Sequence, residues 1–275
     1  MRCEVLSTQP FAGRATPLYG ARVIRAPRPP WPPEPAVFLD LDGTLIEIAQ
    51  RPDEVRRSAR LDALLARLPG ATSNAVAIVS GRTVTDLDRL LAPHRLPVAG
   101  IHGLERRRTD GKVIRAQVAL DWMKGARDTM ERFTATYPGL LLENKGASLA
   151  LHYRSRPELE NAVQQFVAEL DLPVTAERLQ GRKVMEVKPR RMNKGTAIRA
   201  YMSEPPFTGR TPVFAGDDVT DESGFVVVNE LGGVSVKVGT GATAANWSLP
   251  GVSDVLDWLT EAVSGKRTST GVPAA

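Results

Sequence analysis

Two aspartates one residue apart, Asp40 and Asp42, close the apolar run Val37–Leu41 and are followed at once by Gly43 and Thr44. In an extended segment the side chains at i and i+2 point the same way, so both carboxylates would leave a strand side by side. Like charges that close repel unless a proton or cation lies between them. The pair is therefore a candidate divalent-metal site with one carboxylate free to attack. The segment reads equally as a solvated turn, because Asp and Gly are common turn residues. Other segments decide between the two.

A second apolar run, Val213-Phe214-Ala215, leads into Gly216-Asp217-Asp218-Val219-Thr220-Asp221-Glu222. So many acids directly after a buried strand repel strongly without a cation. Asp217 and Asp218, together with Asp40 and Asp42, make a candidate oxygen-rich shell of the kind Mg²⁺ prefers, with positions left for water and a phosphate. Between the two acidic segments, Ile78-Val79-Ser80-Gly81-Arg82 delivers a hydroxyl at a strand end, suited to a phosphoryl oxygen. Taken alone it is more simply a serine before a glycine turn. In Asn193-Lys194-Gly195 the asparagine is a good helix cap, which puts Lys194 in the first turn, where cations are disfavoured unless they hold a phosphate or acids. A solvent-facing lysine is the plain alternative.

These residues need strands ending at a common edge, and the hydrophobic pattern supplies them. Leu61, Leu64, Leu65 and Leu68 recur at helical spacing, Ala75–Val79 is a short apolar run, and Val84, Leu87, Leu90 and Leu91 mark a second helix with Thr83 and Asp86 spaced as a capping box. Strand, helix, strand, helix implies a parallel sheet, whose active sites lie at the carboxyl edge. From about residue 115 the texture changes to a helix over 121–137, one or two strands over 140–153, a helix over 157–170 and a hairpin over 174–187 turning near Gln180-Gly181. The parallel pattern then resumes with a helix over 194–202, strands over 212–215 and 233–238, and a helix over 252–262. The expected division is a proline-rich tail (1–35), a core (36–114), an inserted unit (115–187), the rest of the core (188–264) and a tail (265–275).

The chain has 275 residues, enough for one large domain or two modest ones. Its single cysteine, Cys3, excludes an internal disulfide and a cysteine metal site. No apolar run approaches the ~18 residues of a membrane span, and the N-terminus lacks a signal-peptide layout, so the cytoplasm is expected. The net charge of +5 comes partly from short arginine runs without interleaved aromatics, and no nucleic-acid partner is expected.

In order, Asp40-x-Asp42-Gly43-Thr44, Ser80-Gly81-Arg82, Lys194 and Gly216-Asp217-Asp218 resemble the motifs of the haloacid dehalogenase-like phosphatases. The resemblance implies an α/β fold with a Rossmannoid parallel-sheet core and an inserted α/β cap. It makes Asp40 the nucleophile, Asp42 the general acid and base, Ser80 and Lys194 the phosphoryl holders, and Mg²⁺ bound by Asp40, the Asp42 carbonyl and Asp217. With Ala99–Glu105, Leu142–Gly146 and Met185–Pro189 the chain resembles, from about residue 37 to 259, the bacterial trehalose-6-phosphate phosphatases. That implies a small-molecule substrate, trehalose 6-phosphate, met by Gly81 and Arg82, by Glu143, Lys145, Glu186 and Lys188 on the cap, and by His102, Gly103 and Glu105 near the hinge. A monomer with a functional link to trehalose-phosphate synthase is expected; His94 and His152 read as structural. A phosphatase of another sugar phosphate, such as sucrose 6-phosphate, and a non-catalytic sensor are the alternatives.

Overall fold

The computed structural model describes residues 28–49 and 54–265. It contains an eight-stranded and a four-stranded sheet. The large sheet uses β1 (Pro35–Leu39), β2 (Val76–Val79), β3 (Val98–Gly100), β4 (Glu105–Arg107), β5 (Val113–Arg115), β10 (Thr211–Gly216), β11 (Val234–Val238) and β12 (Trp247–Leu249), in the order β12-β11-β10-β1-β2-β3-β4-β5. All neighbours from β12 to β3 are parallel, and β4 and β5 add an antiparallel edge.

Parallel strands buried on both faces read as continuous apolar runs, and β1, β2 and β10 do so. Alternation then sorts the side chains. Val37 and Leu39 face a core with the leucine stripe of α1 (Ala59–Ala71), with α2 (Val84–Leu91) and with α7 (Val252–Val263). Ala36 and Phe38 face the other way, onto α5 (Lys194–Met202) and α6 (Glu222–Glu230), where Phe38 stacks on Phe207 at 5.4 Å.

The chain leaves the large sheet after β5 and returns to it at β10. Between them it builds an antiparallel sheet, β6-β7-β9-β8, from β6 (Leu141–Asn144), β7 (Leu149–His152), β8 (Ala176–Gly181) and β9 (Val184–Pro189). One face, with Leu149, Leu151, Met185 and Val187, packs on α3 (Met123–Thr136) and α4 (Glu160–Glu169) in a separate apolar cluster. The residues between these, Ala150, Glu186 and Lys188, belong to the opposite face by the period-two rule. The hairpin turns at Arg182-Lys183, with Lys183 at φ 63°, two residues beyond the position expected from Gln180-Gly181.

Of the expected proline-rich tail, residues 1–27 lie outside the described residues, as do 266–275 of the C-terminal tail. Residues 28–34 pack on the core: Trp31 meets Trp258 edge-on at 5.5 Å, and the Trp258 indole donates to the Pro29 carbonyl at 3.0 Å. Pro35 opens the central strand β1, a position where a missing N–H is tolerated. Among the described residues no helix is long and apolar enough to cross a membrane.

Candidate active site

β1, β2 and β10 run parallel, so the residues just past their ends, Asp40, Ser80 and Asp217, share the carboxyl edge of the sheet. Asn193 caps α5 through a reciprocal box with Thr196, and the helix brings Lys194 to the same edge. Asp40 is buried. Its Oδ1 accepts from Lys194 Nζ at 2.7 Å and its Oδ2 from the Thr44 hydroxyl at 3.1 Å. Lys194 also donates to Asp221 Oδ1 at 2.6 Å. The second oxygen of Asp221 accepts from the Asp218 N–H at 2.9 Å, because a short 3-10 turn over Val219–Asp221 folds the carboxylate back.

Asp40, Asp217 and Asp221 each present an oxygen within 4.8 Å of the others. Burial raises the Asp40 carboxyl well above the usual range, and Asp221 and Asp217 push the same way against the pull of Lys194. Asp217 is pushed up to about 7 by burial and then by Asp221. Burial opposes the Lys194 charge, yet Asp221 and Asp40 outweigh it and hold the proton on the ammonium. Gly43 makes room for the cluster. It has φ +86°, and a Cβ there would fall 2.1 Å from Asp217 Oδ2. Behind Asp217, the buried Lys237 ammonium donates to its backbone carbonyl.

Asp42 is held by Arg82, whose Nε and Nη2 donate to its two oxygens. The Arg82 N–H donates to Ser80 Oγ at 3.2 Å, so the serine hydroxyl and the guanidinium ride on one turn. Beside it, Ile101, His102 and Gly103 have φ of 47°, 54° and 101°. Positive φ is a genuine outlier for a β-branched residue, and such strain costs roughly 1–3 kcal/mol per residue.

The four-stranded sheet turns its polar face to this edge. Glu143, Lys145, His152 and Glu186 line the same pocket as Asp40, Asp42, Ser80, Gly81, Arg82, His102 and Lys194. His152 Nε2 pairs with Glu143 Oε2 at 2.8 Å, and Lys145 Nζ with Glu186 Oε2 at 3.3 Å. Burial would raise the Glu186 carboxyl, but Lys145 and His102 outweigh it and keep it ionised far below the usual carboxylate range. Lys145 is raised in turn, Glu186 and Glu143 prevailing over burial. Arg154 bridges from the small sheet to the core, donating to the Ala49 carbonyl and, at 2.9 Å, to that of Arg182.

A family model described as trehalose-phosphatase matches residues 38–253. A trehalose-6-phosphate phosphatase of Escherichia coli K12 is 47% identical over 236 residues, covering 84% of this chain and 89% of that protein. The chain belongs to the trehalose-phosphatase family. Members of this family are phosphomonoester hydrolases. A probable trehalose-phosphate phosphatase of Sinorhizobium fredii is 40% identical over 210 residues, 74% of this chain and 77% of that one. The C-terminal domain of a Candida albicans trehalose-6-phosphate phosphatase shares the fold, with a TM-score of 0.76 at 24% identity over 84% of this chain and 92% of that one. The haloacid dehalogenase-like core with an inserted α/β unit, expected from the motifs, is the observed fold.

Against the residues expected in this family's site, the geometry differs at several positions. Asp218 lines the pocket, but its carboxylate caps the Val219 N–H at 2.8 Å, and Asp221 takes its place in the acidic group. The Asp42 side chain is likewise outside that group, committed to Arg82. Lys188 is buried away from the pocket on Glu177 and the Met192 carbonyl. Glu105 accepts from the Val84 N–H and from Arg115, and Gly103 packs on Ala197. His152, expected to be structural, lines the pocket. Asp221, one of the acids of the motif but not among the ligands expected by name, stands four residues after Asp217, the spacing by which one helical turn returns a side chain to the same side; that spacing is the signal that could have singled it out. Thr44 stood in the Asp40-x-Asp42-Gly43-Thr44 motif without a role of its own, and Arg154 carried no comparable signal.

The donor set fits a hard divalent cation. Three carboxylate oxygens lie within 4.8 Å of one another with the Lys194 ammonium bonded to two of the three carboxylates, and oxygen ligands of this kind suit Mg²⁺.

Proposed function

We propose that the chain hydrolyses trehalose 6-phosphate to trehalose and inorganic phosphate, through a phosphoryl group carried transiently on Asp40. The observation that carries this reading is one pocket with two chemistries: a floor of carboxylate, hydroxyl and ammonium suited to a phosphoryl group, and a roof of Glu143, Lys145 and Glu186 suited to sugar hydroxyls. The 47% identity to a trehalose-6-phosphate phosphatase supports the substrate.

In the first step a carboxylate oxygen of Asp40 bonds to phosphorus as the bond from phosphorus to the sugar oxygen breaks. Asp42 gives its proton to the departing oxygen. In the second step Asp42 takes a proton from water, whose oxygen bonds to phosphorus and releases Asp40. Ser80 and Lys194 donate to the phosphoryl oxygens, where negative charge accumulates. Asp40, Asp217 and Asp221, with the Asp42 carbonyl, would hold Mg²⁺, which when bound neutralises charge between the carboxylates and the phosphoryl group. The four-stranded unit, about residues 115–187, serves as the cap that excludes water over the sugar.

The test is phosphate release from trehalose 6-phosphate, sucrose 6-phosphate and glucose 6-phosphate, with and without Mg²⁺, beside Asp40→Asn. Preference for the first, dependent on Mg²⁺ and abolished by the substitution, is the expected result. Equal rates on all three would refute the role of the cap, and no release from any would refute the reaction.

A further inference from the structure

His102 is buried where the large sheet meets the four-stranded one. Its N–H donates to the Ser80 carbonyl at 3.0 Å, and that of Ile101 to the Arg82 carbonyl at 2.8 Å, so the strained segment is stitched to the turn carrying Ser80. The ring lies against Gly81, where a Cβ would fall 2.8 Å from Nε2. On its other side Nε2 stands 3.4 Å from Glu186 Oε2, the atom that also receives Lys145. Burial holds the imidazole below its usual pKa. A neutral ring has one proton, and the anionic Glu186 claims it for Nε2; the buried Nδ1 has no hydrogen-bond partner. Strained backbone persists where its surroundings over-determine it. Here the phosphate-side turn fixes one side of the residue and a cap carboxylate the other.

We infer that His102 is a positioning residue that couples sugar recognition at Glu186 to the phosphate-binding turn Ser80–Arg82. The inference rests on the substrate reading above. His102 need not touch the substrate. It orients the Glu186 carboxylate from the core side, and a cap that engages sugar presses the imidazole, and through two backbone hydrogen bonds the turn, into place. The pocket therefore favours a phosphate ester that carries a sugar over one that does not.

The experiment compares wild type, His102→Ala and His102→Gln on trehalose 6-phosphate and on p-nitrophenyl phosphate, which presents a phosphoryl group without a sugar. Wild-type preference for the sugar phosphate tests the substrate reading by itself. For His102→Ala, kcat/KM on trehalose 6-phosphate is expected to fall at least roughly tenfold further than on p-nitrophenyl phosphate. The amide of His102→Gln, which reaches about as far as Nε2, restores most of the preference. Amide exchange is the second readout: trehalose should slow exchange over residues 79–83 in wild type and in His102→Gln, but not in His102→Ala. Proportional loss on both substrates, equal behaviour of the two variants, or protection of residues 79–83 in His102→Ala would overturn the inference.

Discussion

Arg82 grips both carboxylate oxygens of Asp42, Nε on Oδ2 and Nη2 on Oδ1, each at 2.7 Å. A planar fork of this kind fixes the direction of the carboxylate as well as neutralising it. Asp42 is the proposed acid and base; the fork holds it as the aimed carboxylate, the form that takes a proton from water, and it must yield one oxygen before it carries a proton to the departing sugar. Arg82→Lys keeps the positive charge and loses the fork. We expect kcat to fall by about 10²-fold, the scale of general acid catalysis, with KM changed far less. Steady-state kinetics on trehalose 6-phosphate would show this, and a change confined to KM would contradict it.

Asp221 is fully buried and shares Lys194 with Asp40. Asp221→Asn leaves the ammonium with one carboxylate and removes one arm of the acidic group. Breaking a buried pair costs roughly 3–5 kcal/mol, and the surviving contact to Asp40 puts the expected loss near the lower end. Urea denaturation measures it, and Mg²⁺ titration by calorimetry should show weakened binding in the same variant. A loss below about 1 kcal/mol would mean that the pair is not the buried network described.

Gly43→Ala meets two obstacles, a left-handed backbone and the Asp217 carboxylate 2.1 Å from the new Cβ. The backbone cost alone is about 1 kcal/mol or more. Asp217 must also move, and a displacement of about 1 Å in a catalytic constellation costs on the order of 10² in rate. Activity should therefore collapse well before stability does. Parallel thermal melts and phosphate-release assays separate the two.

Burial depresses the pKa of His102 in the folded protein below the usual imidazole value of about 6.5. Below that value the unfolded chain takes up a proton that the folded protein refuses, so stability present above pH 6.5 is lost as pH falls toward the folded pKa. Wild type should lose more stability between pH 7.5 and pH 5.5 than His102→Gln. Urea melts at the two pH values give the difference, and parallel curves would show that the ring is solvated.

Much of the core was legible because buried parallel strands are short, continuous and apolar. β1, β2, β10 and β11 announce themselves in this way, and Asn193 as a cap residue marks the start of α5 to the residue. By contrast, β4 and the edge strand β5 are three residues long and contain arginine, too short for an apolar period to be read. Helix α6 begins inside the acidic motif and carries Gly224 and a run of three valines, a composition that contradicts its helical state. Gly224 is there for tertiary packing, since a Cβ would fall 2.4 Å from the Phe214 ring. In the site, strand alternation placed Glu186 and Lys188 on one face, but alternation says nothing of how far into the sheet a long side chain turns, and Lys188 finds Glu177 instead. Asp221 depended on a short turn, and the left-handed geometry of Ile101 and His102 on tertiary contacts that no local pattern encodes.

The central pairing of the large sheet joins β1 to β10, with Pro35 opposite Thr211 and the whole four-stranded unit lying between them in the chain. During synthesis, then, the strand that delivers Asp40 waits for its neighbour until about 180 further residues have been made, although β2 is available much earlier. The small sheet, whose four strands are contiguous in sequence, can fold in that interval as a local unit with modest loop-closure cost. Lys194 stands 154 residues from the Asp40 carboxylate it pairs with and follows the whole four-stranded unit in the chain. The acidic group is thus completed only by residues made late, and the unpaired edge of β1 is the vulnerability the nascent protein carries until β10 is available.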